Sequence, residues 1–154
     1  MKAGLMAREF NVAGRLVTVG ATGDGNVNDT YLVVFRTTFS EERFILQHVN
    51  KRVFPRPDYI MENMRVVTEH VHKRLEQEAD AADRIWQLPR IIPAKDGRDF
   101  VIDSDQEYWR AISLIASAHS YGEVQSVEHA YEAGFVLGQF QRLISNLGVD
   151  RLHD

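Results

Sequence analysis

Apolar and polar positions change their period along the chain. Arg15–Ala21 (R-L-V-T-V-G-A) alternates and is rich in β-branched residues, which predicts a strand. Thr30–Phe35 and Arg43–Val49 predict two more, with a polar loop over 37–42 between them. Between the first two, Thr22–Asn28 (T-G-D-G-N-V-N) is a turn cluster, and its Asp24-Gly25 pair suits the positive φ angles of a tight hairpin. Three strands on short connections predict an antiparallel meander. Met1–Phe10 carries no decisive period and reads as a short helix or a frayed end.

Beyond Pro55 and Pro57 the period lengthens. Met61, Met64, Val67, Val71 and Leu75 recur at steps of three and four, placing one apolar stripe on a helix that runs to about Gln77, with Asp58 as its cap. The acidic, alanine-rich stretch 76–83 either extends that helix or frays. Arg90–Ile92, Phe100–Ile102 and Tyr108–Ile115 predict three short strands. A long helix begins near Ser126, with Val127, Ala130, Tyr131, Gly134, Leu137 and Gly138 on a broad apolar face. Gly148 is expected to end it in the left-handed conformation. The layout is α+β, a mostly antiparallel sheet with one packed helix.

Size and charge narrow the field. The 154 residues suffice for one domain with a real core, and 44% apolar with 26% charged residues is ordinary globular composition. The formal charge of −4 is spread without a basic stripe, which argues against a nucleic-acid partner. There is no cysteine, hence no disulfide framework and no thiolate metal site. No apolar run is long enough to span a membrane and no secretory leader is evident, so a cytoplasmic protein is expected.

The local sequences then carry a resemblance. Gly23-Asp24-Gly25-Asn26-Val27-Asn28-Asp29-Thr30-Tyr31-Leu32-Val33, Phe44-Ile45-Leu46-Gln47-His48-Val49-Asn50 with Val53-Phe54, and Met61-Glu62-Asn63-Met64 occur in that order. Tyr108-Trp109-Arg110, Ser120-Tyr121, Glu132-Ala133-Gly134 and Gly138-Gln139-Phe140-Gln141 follow. Over roughly residues 20–154 the chain resembles the amino-terminal lobe of the N-acetylhexosamine 1-kinases, sugar kinases related to aminoglycoside phosphotransferases and choline kinases. The resemblance implies a protein-kinase-like lobe over residues 1–115, with a sheet of about five strands and Tyr108-Trp109-Arg110 opening the fifth. Residues 116–154 would be a hinge and a long helix leading toward a larger, catalytic lobe.

It also implies a nucleotide site. By position, Gly23, Asp24, Gly25, Asn26 and Asn28 would lie over the phosphates, and Leu114, Ile115 and Ser117 would meet adenine through the backbone. Glycines there would let backbone N–H groups approach phosphate oxygens. The competing reading of Asp24-Gly25 is a plain hairpin turn. Gln47 stands where kinases usually place the lysine that holds the α and β phosphates, and a neutral amide cannot supply that charge. The resembled sugar kinases share the glutamine. Glu62 and Glu69 are candidates for the helix carboxylate that pairs with such a lysine, although both read better as solvated surface residues.

Ile102-Asp103-Ser104-Asp105 has the form of a magnesium-binding I-D-x-D motif, but its position suits a turn. His70 and His72 fall on different helix faces and read as surface residues, while His48 and His119 are isolated and carry no signature. The catalytic H-x-D-x-x-x-x-N loop and a second, magnesium-holding aspartate do not occur. The expectation is therefore the nucleotide-binding lobe of an ATP- and magnesium-dependent kinase for a small-molecule acceptor, truncated before its catalytic loop and inactive alone. The apolar face of the last helix would then be exposed and favour a homo-oligomer. The alternative is a stand-alone, non-catalytic interaction module on the same scaffold.

Overall fold

In a computed structural model, the structure describes residues 2–23, 27–78, 84–116, 118–119 and 121–154. Helix α1 (Lys2–Ala7) precedes strands β1 (Arg15–Ala21), β2 (Asp29–Arg36) and β3 (Glu41–Val49). Helix α2 (Pro57–Gln77) follows, then β4 (Ile91–Ile92), β5 (Val101–Ile102), β6 (Tyr108–Ser113) and helix α3 (Val127–Ile144). The α+β layout and the antiparallel meander stand as expected. The sheet has six strands rather than about five, in the order β1-β2-β3-β6-β4, with β5 also paired to β6. The strand opened by Tyr108 is therefore the sixth in chain order, and it lies centrally because it pairs β3, β4 and β5. Among the described residues no helix is long and apolar enough to cross a membrane.

Alternation of side chains divides the sheet into two faces. On one, Val33, Phe35, Phe44, Leu46, Trp109 and Ala111 form the main core. This face is closed by α1: Ala3, Ala7 and Phe10 are buried in the same cluster, so two helices rather than one cover the sheet. The short amino-terminal helix is too brief to show a period in sequence. Its tail is fixed by backbone bonds from Asn11 to Pro93 and from Lys95 to Glu9, each 2.8 Å. A register shift between Leu16 and Thr18 lets both Leu16 and Val19 reach this core from β1.

The other face carries Thr30, Gln47 and Arg110 and meets the first half of α2. Arg56, not Asp58, occupies the N-cap of α2, with Pro57 opening the helix. Asp58 lies in the first turn, where Arg56 grips it at 2.7 Å and holds its carboxyl below the usual range. Of the expected stripe, Met61 and Val71 are fully buried. Strand β6 ends at Ser113 rather than Ile115, because Ser113 and Arg90 close the ladder with bonds of 2.8 and 2.9 Å. Ser126 caps α3 by accepting from the His129 amide. Gly148 is extended (φ −64°, ψ 126°) and does not end the helix. α3 stops earlier, at Ile144, and its cap Ser145 donates its hydroxyl back to the Arg142 carbonyl at 2.8 Å.

α3 docks on α2 through polar contacts. Glu78 takes both outer nitrogens of Arg142 and one from Arg74, and these guanidiniums hold its carboxyl down to about 2. His70 is not a free surface residue: its Nε2 lies 3.1 Å from the Leu143 carbonyl and 3.0 Å from Asn146 Oδ1. His153, near the carboxyl end, stacks on Tyr59 and pairs with Glu62.

Candidate functional site

The geometry singles out one row of side chains. Pairing places Thr30 opposite Gln47 and Gln47 opposite Arg110, so all three project from the same face of β2, β3 and β6. Gln47 Nε2 donates to Thr30 Oγ1 at 3.1 Å, and Arg110 Nε donates to Gln47 Oε1 at 2.9 Å. The amide of Gln47 is thus fixed at both ends. Thr30 in turn donates to the Asn28 carbonyl at 3.3 Å, which links the row to the β1–β2 turn. At its far end Arg110 passes beneath α2, with Nη1 3.5 Å from Met64 Sδ and 3.9 Å from Met61 Sδ. Burial lowers the guanidinium's pKa from its ordinary value.

The expected site residues fare differently. Asp24, Gly25, Asn26 and Ser117 lie outside the described residues, as does most of the acidic stretch 76–83. Gly23 has φ +76°, and among the described residues a Cβ there would meet nothing within 4 Å. Asn28 serves the fold directly, since its Oδ1 accepts from the Asn50 amide at 3.0 Å and ties the turn to the exit of β3. Leu114 and Ile115 follow β6 without joining a strand, and Leu114 is exposed. The structure joins Asn28 and Gln47 through Thr30. Leu114 lies four residues farther along the chain than Arg110, or roughly 13 Å for a strand. Glu62 and Glu69 are exposed, and neither reaches Gln47 or Arg110; Glu62 pairs with His153 and Glu69 with Arg65.

Two other groups depart from their sequence reading. His48 is not isolated: it stacks on Trp109 with centroids 4.9 Å apart and sits between Asp29 (3.0 Å) and Glu107 (3.3 Å). Lys51, 3.0 Å from Glu107, holds that carboxyl below its usual value, with His48 adding to the effect. With Arg52 these groups line a polar cleft of about 440 Å³ on the face opposite Gln47. His72 is half-buried, and its Nε2 is enclosed with no hydrogen-bond partner among the described residues. Its neighbours there include Thr68, Arg90 and Asp99, around a smaller hollow of about 280 Å³.

Asp103 is a turn residue, as its position suggested, and it is fully engaged. Oδ1 accepts from the Asp105 and Glu107 amides, while Oδ2 accepts from Trp109 Nε1 at 2.8 Å and lies 2.7 Å from Lys2 Nζ. No lone pair is left over for a metal, and among the described residues no three acidic or histidine side chains converge as a ligand set.

No protein-family model matches the chain.

The sequence singled out Gln47 as a candidate but not Arg110, which donates to it. The signal was the shared register of β3 and β6, which depends on pairing between segments far apart in the chain.

Proposed function

We propose that this chain is the nucleotide-binding lobe of an ATP-dependent kinase for a sugar or amino alcohol, without phosphoryl-transfer activity of its own. The observation that carries the reading is the bonded row Thr30–Gln47–Arg110. It ties the residue expected beside the phosphates to the strand leaving the expected phosphate loop. It also ties that residue to the strand entering the expected adenine segment. Gly23, with no side chain, suits close approach of an anion to the backbone. The described residues offer no carboxylate set for magnesium, so nothing in the reading is routed through the metal. Transfer chemistry would require a catalytic aspartate that these motifs do not supply.

Titration with Mg-ATP, followed by backbone amide NMR shifts, tests the reading. Shifts confined to 23–28 and 114–117, with affinity near millimolar (about 4 kcal/mol), are expected. Absence of shifts at several millimolar would overturn it.

A second reading, a non-catalytic interaction module that self-associates, draws on one observation. Val127, Tyr131 and Leu137 are exposed along one side of α3. They share it with the exposed Gly134 and Gly138. Apolar surface of this kind favours a second copy. Sedimentation that shows a dimer, dissociated by Tyr131→Lys with Leu137→Lys, together with silence toward nucleotide, would favour this reading.

A further inference from the structure

Arg110 stands apart from the other described arginines. Among the described residues, the arginines without a carboxylate partner are Arg8, Arg15, Arg52, Arg151 and Arg110, and the first four are exposed. Among the described residues Arg110 alone is both sheltered and without a counter-ion. Its Nε is spent on Gln47, and Nη1 faces only thioether sulfurs, which are weak acceptors. Nη2 makes no hydrogen bond among the described residues. It is not among the enclosed side-chain atoms left without a partner there.

A sheltered charge costs desolvation, and replacing it with an apolar chain of similar volume is often neutral or stabilising. Met61 and Met64 are already in place to pack such a chain. Gln47 cannot neutralise the guanidinium, but it fixes the plane through Nε, and the fork of Nη1 and Nη2 has no oxygen acceptor among the described residues, Nη1 lying against the two sulfurs. That fork matches two oxygens of a phosphate.

We infer that Arg110 is the phosphate-binding residue of this face, taking a phosphate of a nucleoside di- or triphosphate through Nη1 and Nη2, with Gln47 as its positioning residue. The positive charge that Gln47 lacks is supplied from the neighbouring strand. The inference rests on the nucleotide reading for the identity of the anion's carrier. It does not rest on that reading for the anion itself.

The test titrates the full chain with pyrophosphate, ADP and adenosine, and compares Arg110→Met and Gln47→Glu with wild type. Gln47→Glu keeps the side-chain shape and gives Arg110 an internal anion, so it should melt at or above the wild-type temperature. Both variants are expected to bind pyrophosphate at least about tenfold more weakly and to lose the preference for ADP over adenosine. Pyrophosphate binding that depends on Arg110, without adenosine binding, would sustain the inference and overturn the nucleotide reading. ADP binding unchanged in both folded variants would overturn the inference and leave the nucleotide reading intact. Absence of pyrophosphate binding by wild type at several millimolar would also overturn it. Should Arg110→Met fail to fold, Gln47→Glu decides by itself.

Discussion

Lys2, in α1, places its Nζ 2.7 Å from Oδ2 of Asp103, a buried carboxylate in the turn between β5 and β6. Burial by itself would raise the Asp103 pKa. Hydrogen bonds from Lys2, Trp109 and the Glu107 and Asp105 amides outweigh it, and hold the carboxyl well below its usual range. The turn is therefore built around one anion and four donors.

Asp103→Asn should destabilise the fold by about 3 kcal/mol, because an amide presents N–H where Trp109 and Lys2 already donate. Urea unfolding measures the difference. The sign of the pH effect follows from the depressed pKa: the folded chain binds fewer protons than the unfolded one. The stabilisation is complete above the unfolded value of about 3.9 and is lost as pH falls below it. The variant should show a flatter stability curve in that acid window. Equal slopes for the two proteins would mean the carboxylate is not ionised in the fold.

Gly14, just ahead of β1, has φ +98°, and a Cβ there would lie 2.5 Å from the Arg36 carbonyl oxygen at the end of β2. Both the dihedral and the space exclude a side chain. Gly14→Ala should cost about 2 kcal/mol and lower the melting temperature by several degrees. An unchanged melt would show that the β1–β2 ends are not closed in this way.

Local signals carried the regular elements well. Alternation marked β1 at its true bounds, and the stripe from Met61 to Leu75 marked α2, because both periods repeat over enough residues to stand out. What escaped was non-local. His48 looked isolated because its partner Glu107 lies on another segment, and the same is true of Gln47 and Arg110. Asp58 and Gly148 fit the ordinary signals for helix ends. The first was displaced by Pro57 fixing the helix start, and the second by Ser145 ending α3 sooner. Residue type gives the preference; the pairing of distant strands decides which groups meet.

The attachment of α3 gives the last prediction. Of its residues only Leu143 is fully buried, with Phe135, Phe140 and Ile144 half-buried, so polar contacts take a large share in holding the helix in place. Among the described residues the polar contacts that hold it are the Glu78–Arg142 pair, the His70 bonds, the Arg74–Asn146 bond and the Arg84–Glu132 pair, beside a stack of Trp86 on Phe135. Exposed ion pairs are individually weak and are screened by salt. Amide hydrogens of α3 should therefore exchange much faster than those of β3, which lies inside the sheet. Raising the salt concentration should speed α3 exchange and leave β3 unaffected. Glu78→Gln should act in the same direction at low salt, since it removes the carboxylate shared by both guanidiniums. Hydrogen exchange with mass spectrometry reads both segments in one experiment. If α3 is as protected as β3, or indifferent to salt, its hold on α2 is not a polar clamp.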